Sequence, residues 1–365
     1  MSIQKILLKC HLYAALTTSL FLLIVSLTGA ILVFEAEIDH MLNPKLYQIQ
    51  AQSRLLSLDE MLAKVRAAYP NNKARSLSIP ADNAMTYQFN LSNGLSVYLN
   101  PYTGEIVGTR GNQEAANSLA RRLHMLHTRL MAGQTGELIV GVTSALCVFL
   151  VLSGVILWWP RKIMTVKKNF AWRRINFDLH NALGIYASFF MFVIAFSGVM
   201  IAFEGSTAAV TARLNTLPPP ARPTHSTVLP GKKPIKLSEA VRIAEEGLPG
   251  ARISNIGIPI GDGDKEVLMA FMKFPEDRTP SGRSRVYIDQ YSGAVLLAEN
   301  TRQAQLGTWI QNLKRSVHTG DVFGIASRIV YMLVCLVLAS QVVTGLVMWW
   351  KPGKSAQRTE VRIEK

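Results

Sequence analysis

The sequence predicts a membrane protein with an all-α four-helix core and two exterior α+β units, built as an internal duplication with a pseudo-two-fold axis along the membrane normal. Three observations lead there. Four apolar runs, about 12–34, 136–159, 182–203 and 325–350, are each near or above the ~20 residues that cross a ~30 Å hydrocarbon core. Positive charge is concentrated beside those runs. Segments of the two halves repeat one another.

The first span lies in residues 1–35. Lys5 and Lys9 precede it, but its apolar run is longer than a signal peptide's ~7–15 residues, so it reads as a retained helix. "HLYAALTTSLFLLIVSLTGAILVFE" (11–35) matches "HNALGIYASFFMFVIAFSGVMIAFE" (180–204), the third span, without a gap at offset 169. In each, glycine (Gly29, Gly198) stands 18 positions after the histidine and glutamate (Glu35, Glu204) stands 24 after it.

Residues 36–116 read as the first exterior unit. "LSLDEMLAKVRAAYP" (56–70) has helical apolar spacing with Ser57 as cap, and "SLSIP" (76–80) is a first strand. "SVYLNPYTGEIVG" (96–108) reads as strand, turn, strand around Gly104. Residues 117–160 hold an amphipathic segment and the second span. "HTRLMAGQTGELIVGVTSALCVFLVLSGVILWWP" begins at His127 and continues, as one helix, for 31 positions to Trp158, about 46 Å. That exceeds the membrane core, which puts His127 in the outer leaflet or just above it.

Residues 161–179 form a basic loop with no acid from 161 to 174. The third span, 180–204, leads to a Pro-rich tether, 205–234. The second unit, 235–304, repeats the first: a helix over 235–249 with Ser238 as cap, "NIGIP" (255–259), and "RVYIDQYSGAVLL" (285–297) around Gly293. "GDGDKE" (261–266) reads as a hairpin turn. Residues 305–352 repeat the amphipathic segment and span at offset 191, from "HTGDVFGIASRIVYMLVCLVLASQVVTGLVMWWK" at His318, and 353–365 form a tail.

Of the formal charge of +15, +11 lies beside the spans: at Lys5 and Lys9, in the 160–180 loop and in the last fifteen residues. The positive-inside rule then puts both termini and that loop in the cytoplasm and both α+β units outside. A bacterial inner membrane is the expected location. Basicity placed this way does not call for nucleic acid; the lipid bilayer is its partner. Cys10, Cys147 and Cys335 leave no cysteine pair outside, and the absence of CxxCH excludes covalently attached haem.

Four of the seven histidines fall in matched pairs, His11 with His180 and His127 with His318. Orientation puts the first pair near the cytoplasmic face and the second near the exterior face. Two histidines facing each other across a four-helix bundle suit axial ligation of an iron porphyrin, and two pairs give two haems at two depths. The core is thus read as a haem-binding one, with His124, three residues from His127, as a rival ligand. Gly29, Gly198, Gly154 and Gly345 either clear space for the macrocycle or let helices approach. Arg122, Arg129, Arg315 and Arg328 either meet haem propionates or sit in solvent. The Trp158-Trp159 and Trp349-Trp350 pairs read as an aromatic belt, and Glu35 and Glu204 as boundary markers. Glu35, Glu37, Asp39 and His40 group at the exterior edge in the manner of metal ligands, but the second half does not repeat the histidine, which disfavours a metal site there. No nucleophile elbow, phosphate loop, dinucleotide fingerprint or HExxH occurs.

The duplicated helix–α+β–helix layout, "VYLNPYTGEIVG" and "VYIDQYSGAVL", the "SGVILWWP" and "TGLVMWW" helix ends and the opening histidine of each half resemble the PepSY-associated transmembrane family over about residues 5–352, and within it the siderophore reductase group. The resemblance implies two periplasmic PepSY units on a haem b core. It implies electrons passed outward to a ferric siderophore; a hydroxamate is the expected class, and a quinol or a cytoplasmic reductase the expected donor. A non-enzymatic PepSY adaptor or inhibitor that binds a periplasmic peptide or protein is the alternative. A siderophore permease is disfavoured, because apart from Gln341, Ser and Thr the spans carry little that is polar near the midplane.

Overall fold

The computed structural model describes residues 2–112, 118–167, 170–229, 231–260 and 266–350. The expected turn at 261–266, apart from Glu266, and the tail at 353–365 lie outside the described residues. In chain order the first half contains α1 (Ile3–Leu32), α2 (Glu35–Leu42), α3 (Pro44–Tyr47), α4 (Leu58–Ala68), β1 (Ala74–Ser78), β2 (Tyr87–Leu91), β3 (Ser96–Leu99), β4 (Ile106–Arg110), α5 (Leu119–Arg129) and α6 (Gly133–Trp158). The second contains α7 (Trp172–Ala202), α8 (Glu204–Ala212), α9 (Leu237–Gly247), β5 (Arg252–Gly257), β6 (Leu268–Lys273), β7 (Ser284–Ile288), β8 (Val295–Glu299), α10 (Leu306–Thr319) and α11 (Ile325–Trp350). They form two compact units, one holding the long helices and the other 36–121 with 208–313.

In the first unit, α1, α6, α7 and α11 are long and apolar enough to cross a membrane. They form a ring: α1 packs on α6 and α11, and α7 packs on the same two. Many of its inner positions are small or hydroxylated, such as Thr18, Ser26, Thr28, Ala182, Ala195, Ser197, Ala339 and Thr344. Large apolar side chains, including Leu20, Leu152, Phe189 and Val343, point outward. This is the distribution expected where lipid replaces water and close backbone approach holds the helices together.

The long helix expected from His127 to Trp158 is broken. Leu130 and Met131 adopt φ of 48° and 58°, which separates α5 from α6. The break is tight: a Cβ on Gly136 would fall 1.7 Å from the Arg129 carbonyl. In the second half Gly320 and Gly324, at φ 81° and 66°, make the corresponding break between α10 and α11. Each amphipathic helix can therefore turn its histidine away from its own span.

The second unit is organised by one antiparallel sheet, ordered β4-β3-β2-β1-β5-β6-β7-β8. Two separate short sheets were expected, one in each half. Instead β1 pairs with β5, joining Leu77 to Ile256 and Ser78 to Asn255, and the Asn255 amide donates to Ser78 Oγ at 2.8 Å. The pairing hides two of the four strand edges that separate sheets would expose and leaves β4 and β8 at the ends. Alternation sets the faces. Leu77, Phe89, Val97, Ile256, Met272 and Val286 are buried against Met61 and Val65 of α4 and Ala240 and Ala244 of α9. Gln88, Asn90, Ser96 and Ser76 form a hydrogen-bonded polar row on the other face.

The caps also differ from expectation. Ser57 makes a capping box with Glu60. Ser238 lies inside the first turn of α9 and caps nothing. Its N–H and hydroxyl, with the Leu237 N–H at 2.8 Å, donate to the carboxylate of Asp59 on α4. One helix thus caps the other across the halves. The Pro-rich tether is fastened too: the Ser226 hydroxyl donates to the Glu266 carbonyl at 2.9 Å, and the Thr227 N–H to Asp289 at 2.6 Å.

Removing a cap carboxylate costs about 0.5–2 kcal/mol. Asp59→Ala should accordingly raise hydrogen exchange in peptides covering Leu237–Ala240 while β6 and β7 peptides keep their protection. Unchanged exchange at the start of α9 would contradict the cross-cap.

Candidate functional site

The four matched histidines sit in four copies of one environment. His11, on α1, places Nδ1 2.8 Å from Ser153 Oγ on α6. His180, on α7, places Nδ1 2.8 Å from Thr344 Oγ1 on α11. His127, on α5, reaches α1, with Nδ1 3.0 Å from the Val25 carbonyl and 3.1 Å from Thr28 Oγ1. His318, on α10, reaches α7, with Nδ1 3.0 Å from the Ile194 carbonyl and 3.2 Å from Ser197 Oγ.

These contacts fix the tautomer. A carbonyl only accepts, so Nδ1 of His127 and His318 carries the proton. The hydroxyls act alike, because each donates its own hydrogen one turn back: Ser153 to Phe149, Thr344 to Ser340, Thr28 to Ile24 and Ser197 to Val193, at 2.6–2.7 Å. Their oxygens are left to accept from Nδ1–H. A neutral imidazole with Nδ1–H committed keeps its lone pair on Nε2, the state that binds a metal.

Each hydroxyl residue is followed by one of the four glycines, and this shows what they do. A Cβ on Gly29 would fall 3.0 Å from His127 Cε1, on Gly198 3.3 Å from His318 Cε1, on Gly154 3.5 Å from His11 Cε1 and on Gly345 3.6 Å from His180 Cε1. The glycines receive the imidazoles edge-on. The space they clear is for a histidine ring on a neighbouring helix, whereas the sequence reading offered only clearance for a macrocycle or helix packing.

The rings are also brought into pairs. His127 and His318 stand with centres 6.2 Å apart and planes inclined by 55°. A bond from imidazole to a metal such as zinc is about 2.0–2.1 Å, so two rings at this separation would span one ion if both turned Nε2 toward it. His11 and His180 hold the matching positions on α1 and α7, each with Nδ1 2.8 Å from a hydroxyl of the neighbouring span. Gly29, which receives His127, stands 18 residues from His11 on α1, so the two levels are roughly 27 Å apart along that helix. The donor set of each pair, two neutral nitrogens in an apolar bundle, fits the axial ligation of a haem iron and does not fit a closed four-ligand zinc site. Among the described residues no cluster of three or more His, Cys, Asp or Glu is placed to hold a metal ion.

His124 does not join a pair, because its Nδ1 lies 3.6 Å from Glu35. In the second half Lys314 takes Glu204 at 2.6 Å. Both glutamates therefore tie an amphipathic helix to the end of a span, beyond marking a boundary. Arg129 pairs with Glu137 at 3.2 Å. Arg328 donates to the Val33 carbonyl at 2.9 Å and lies over the Phe34 ring, closing the end of α1. Arg315 stands three residues before His318 on α10, and Arg122 has a partner of its own. The cluster at 35–40 is dispersed: Asp39 accepts from Arg110 at 2.9 Å and from the Tyr47 hydroxyl, while His40 packs on the Tyr47 ring. Burial alone would raise the Asp39 carboxyl, but these hydrogen bonds outweigh it and hold it below its ordinary value.

Sequence reading missed Ser153, Thr344, Thr28 and Ser197. The signal was present as a Ser/Thr-Gly pair near one end of every span. The separations order two substitutions. Gly29→Ala forces His127 to shift and should cost about 1–3 kcal/mol by overpacking. Gly154→Ala adds only an ordinary contact and should stay within about 0.5 kcal/mol. Unfolding of each variant in mixed micelles measures both, and equal costs would count against the edge-on packing.

The family model for the PepSY-associated TM region matches residues 8–351. Comparison with curated proteins gives no match. Together with four apolar helices of spanning length, the match shows a membrane protein, and the chain belongs to the PepSY-associated transmembrane family.

Proposed function

We propose that the chain is an inner-membrane electron-transfer protein, a ferric-siderophore reductase that holds two haem b groups and delivers electrons to a hydroxamate-class ferric siderophore in the periplasm. What supports this reading most is the fourfold imidazole environment, in which every Nδ1 is committed to the neighbouring helix and every Nε2 keeps its lone pair. His127 and His318 would hold one iron, and His11 and His180 the other. Haem, when bound, supplies reversible one-electron chemistry whose potential follows from its axial ligands and surroundings.

The chain's own residues do the rest. Ser153, Thr344, Thr28 and Ser197 orient the rings and hold their protons on Nδ1. The break at Leu130 and Met131 frees α5 to carry His127 onto α1. The bases beside the spans set the orientation, with the His11–His180 level cytoplasmic, the His127–His318 level periplasmic and the sheet unit outside. An internal duplication accounts for the matched registers. A quinol or a cytoplasmic reductase supplies the electrons. One electron converts Fe(III) to Fe(II), which hard oxygen donors hold less tightly, so iron leaves the siderophore. No protein acid or base takes part in that step, in keeping with a sequence that carries no acid–base constellation.

Detergent-purified protein should be red, with a reduced-minus-oxidised haem b spectrum and two haems per chain. His127→Ala and His318→Ala should lose the same haem, and His11→Ala and His180→Ala the other. A preparation that stays colourless after incubation with haem would overturn the reading and favour a PepSY adaptor. Anaerobically, dithionite-reduced protein should be reoxidised by ferric hydroxamate complexes with Fe(II) trapped by a chelator. Red protein that no ferric siderophore reoxidises would keep the haems and refute the substrate.

A further inference from the structure

Gln341 breaks the fourfold pattern. The position four residues before each glycine is occupied by Val25, Leu150, Ile194 and Gln341. The backbone carbonyls of Val25 and Ile194 accept from His127 and His318, while on α11 the Thr344 hydroxyl, three residues after Gln341, meets His180. Three of the four side chains are aliphatic and one is an amide.

Space has been made for that amide. Gly184 lies one turn from His180 on the same face of α7. A Cβ there would fall 3.1 Å from Gln341 Oε1 and 3.8 Å from its Nε2. The matching residues of the first half are Ala15 and Leu150, an apolar pair. Gln341 Nε2 is sealed from solvent and has no hydrogen-bond partner among the described residues. A buried amide without a partner carries a cost that the leucine of the other half avoids.

We propose that Gln341 is a positioning and tuning residue for the group held by His11 and His180. Its amide N–H donates to that group and sets the group's potential apart from that of the His127–His318 centre. This rests on reading the four histidines as haem ligands. A donor beside a redox centre favours the reduced, more negative form, so it raises the potential.

The test is an optical potentiometric titration of the full-length, haem-loaded protein. The wild type should show two components. Gln341→Leu should retain both haems, shift one component to a more negative potential and leave the other in place. Gly184→Ala, which presses on the amide without removing it, should move the same component in the same direction. In a His127→Ala background, where the His11–His180 haem remains, Gln341→Leu must still produce its shift. If Gln341→Leu does not fold, Gln341→Met keeps the length of the side chain and removes the donor. Unchanged potentials in the Gln341 variants and Gly184→Ala, or a shift confined to the His127–His318 centre, would refute the proposal. Wild-type protein without haem would instead sink the ligand assignment, so the two failures are distinguishable.

Discussion

An imidazole in an apolar bundle has two ring nitrogens and, when neutral, one proton. Burial without a partner for that proton is costly, and charging the ring is costlier. The helical unit answers this the same way four times. A hydroxyl one residue before a glycine, a carbonyl three residues further back, or both, meets Nδ1–H, and the glycine lets the ring come close enough to make the bond. His11 binds α1 to α6, His127 binds α5 to α1, His180 binds α7 to α11 and His318 binds α10 to α7. The contacts that orient the rings are therefore also contacts that join the helices.

This constraint explains the composition of the spans. Helices in lipid gain nothing from burying leucine against leucine, because the surroundings are equally apolar. Close approach and interhelical hydrogen bonds remain, and both need small or hydroxylated residues inside. Thr28, Ser153, Ser197 and Thr344 meet both needs, since each feeds its own hydrogen to a carbonyl one turn back and accepts from a histidine. The strained turn at Leu130 and Met131 follows from the same geometry: a continuous helix would keep His127 in line with α6 and away from Val25.

The sheet unit joins the two halves by another route. Each half supplies a helix and a four-stranded meander with two edges, and β1 against β5 covers one edge of each at once. The Asp59 carboxylate, aimed at the start of α9, adds a polar tie between the halves. The buried face is apolar on both sides of the junction, so a single core serves the whole unit.

Residue spacing alone determined four apolar spans, the matched histidines and glycines and the helix-then-strand order of each α+β segment. All of these are periodic or local properties, and a sequence records them directly. Tertiary structure decided what the matched residues touch. Gly29 lies near His11 in sequence, yet it receives His127, because α5 folds back on α1. His124 and His127 share a helical face, but only His127 reaches α1, while a carboxylate meets His124. Ser238 looks like a helix cap, and a residue far away in the chain does the capping. The β1–β5 junction joins strands separated by a span, a loop and a second span, and no local signal marks it. Alternation and helical period say which side of an element is apolar. Which neighbour fills that side depends on the path of the whole chain, and only the folded structure contains that path.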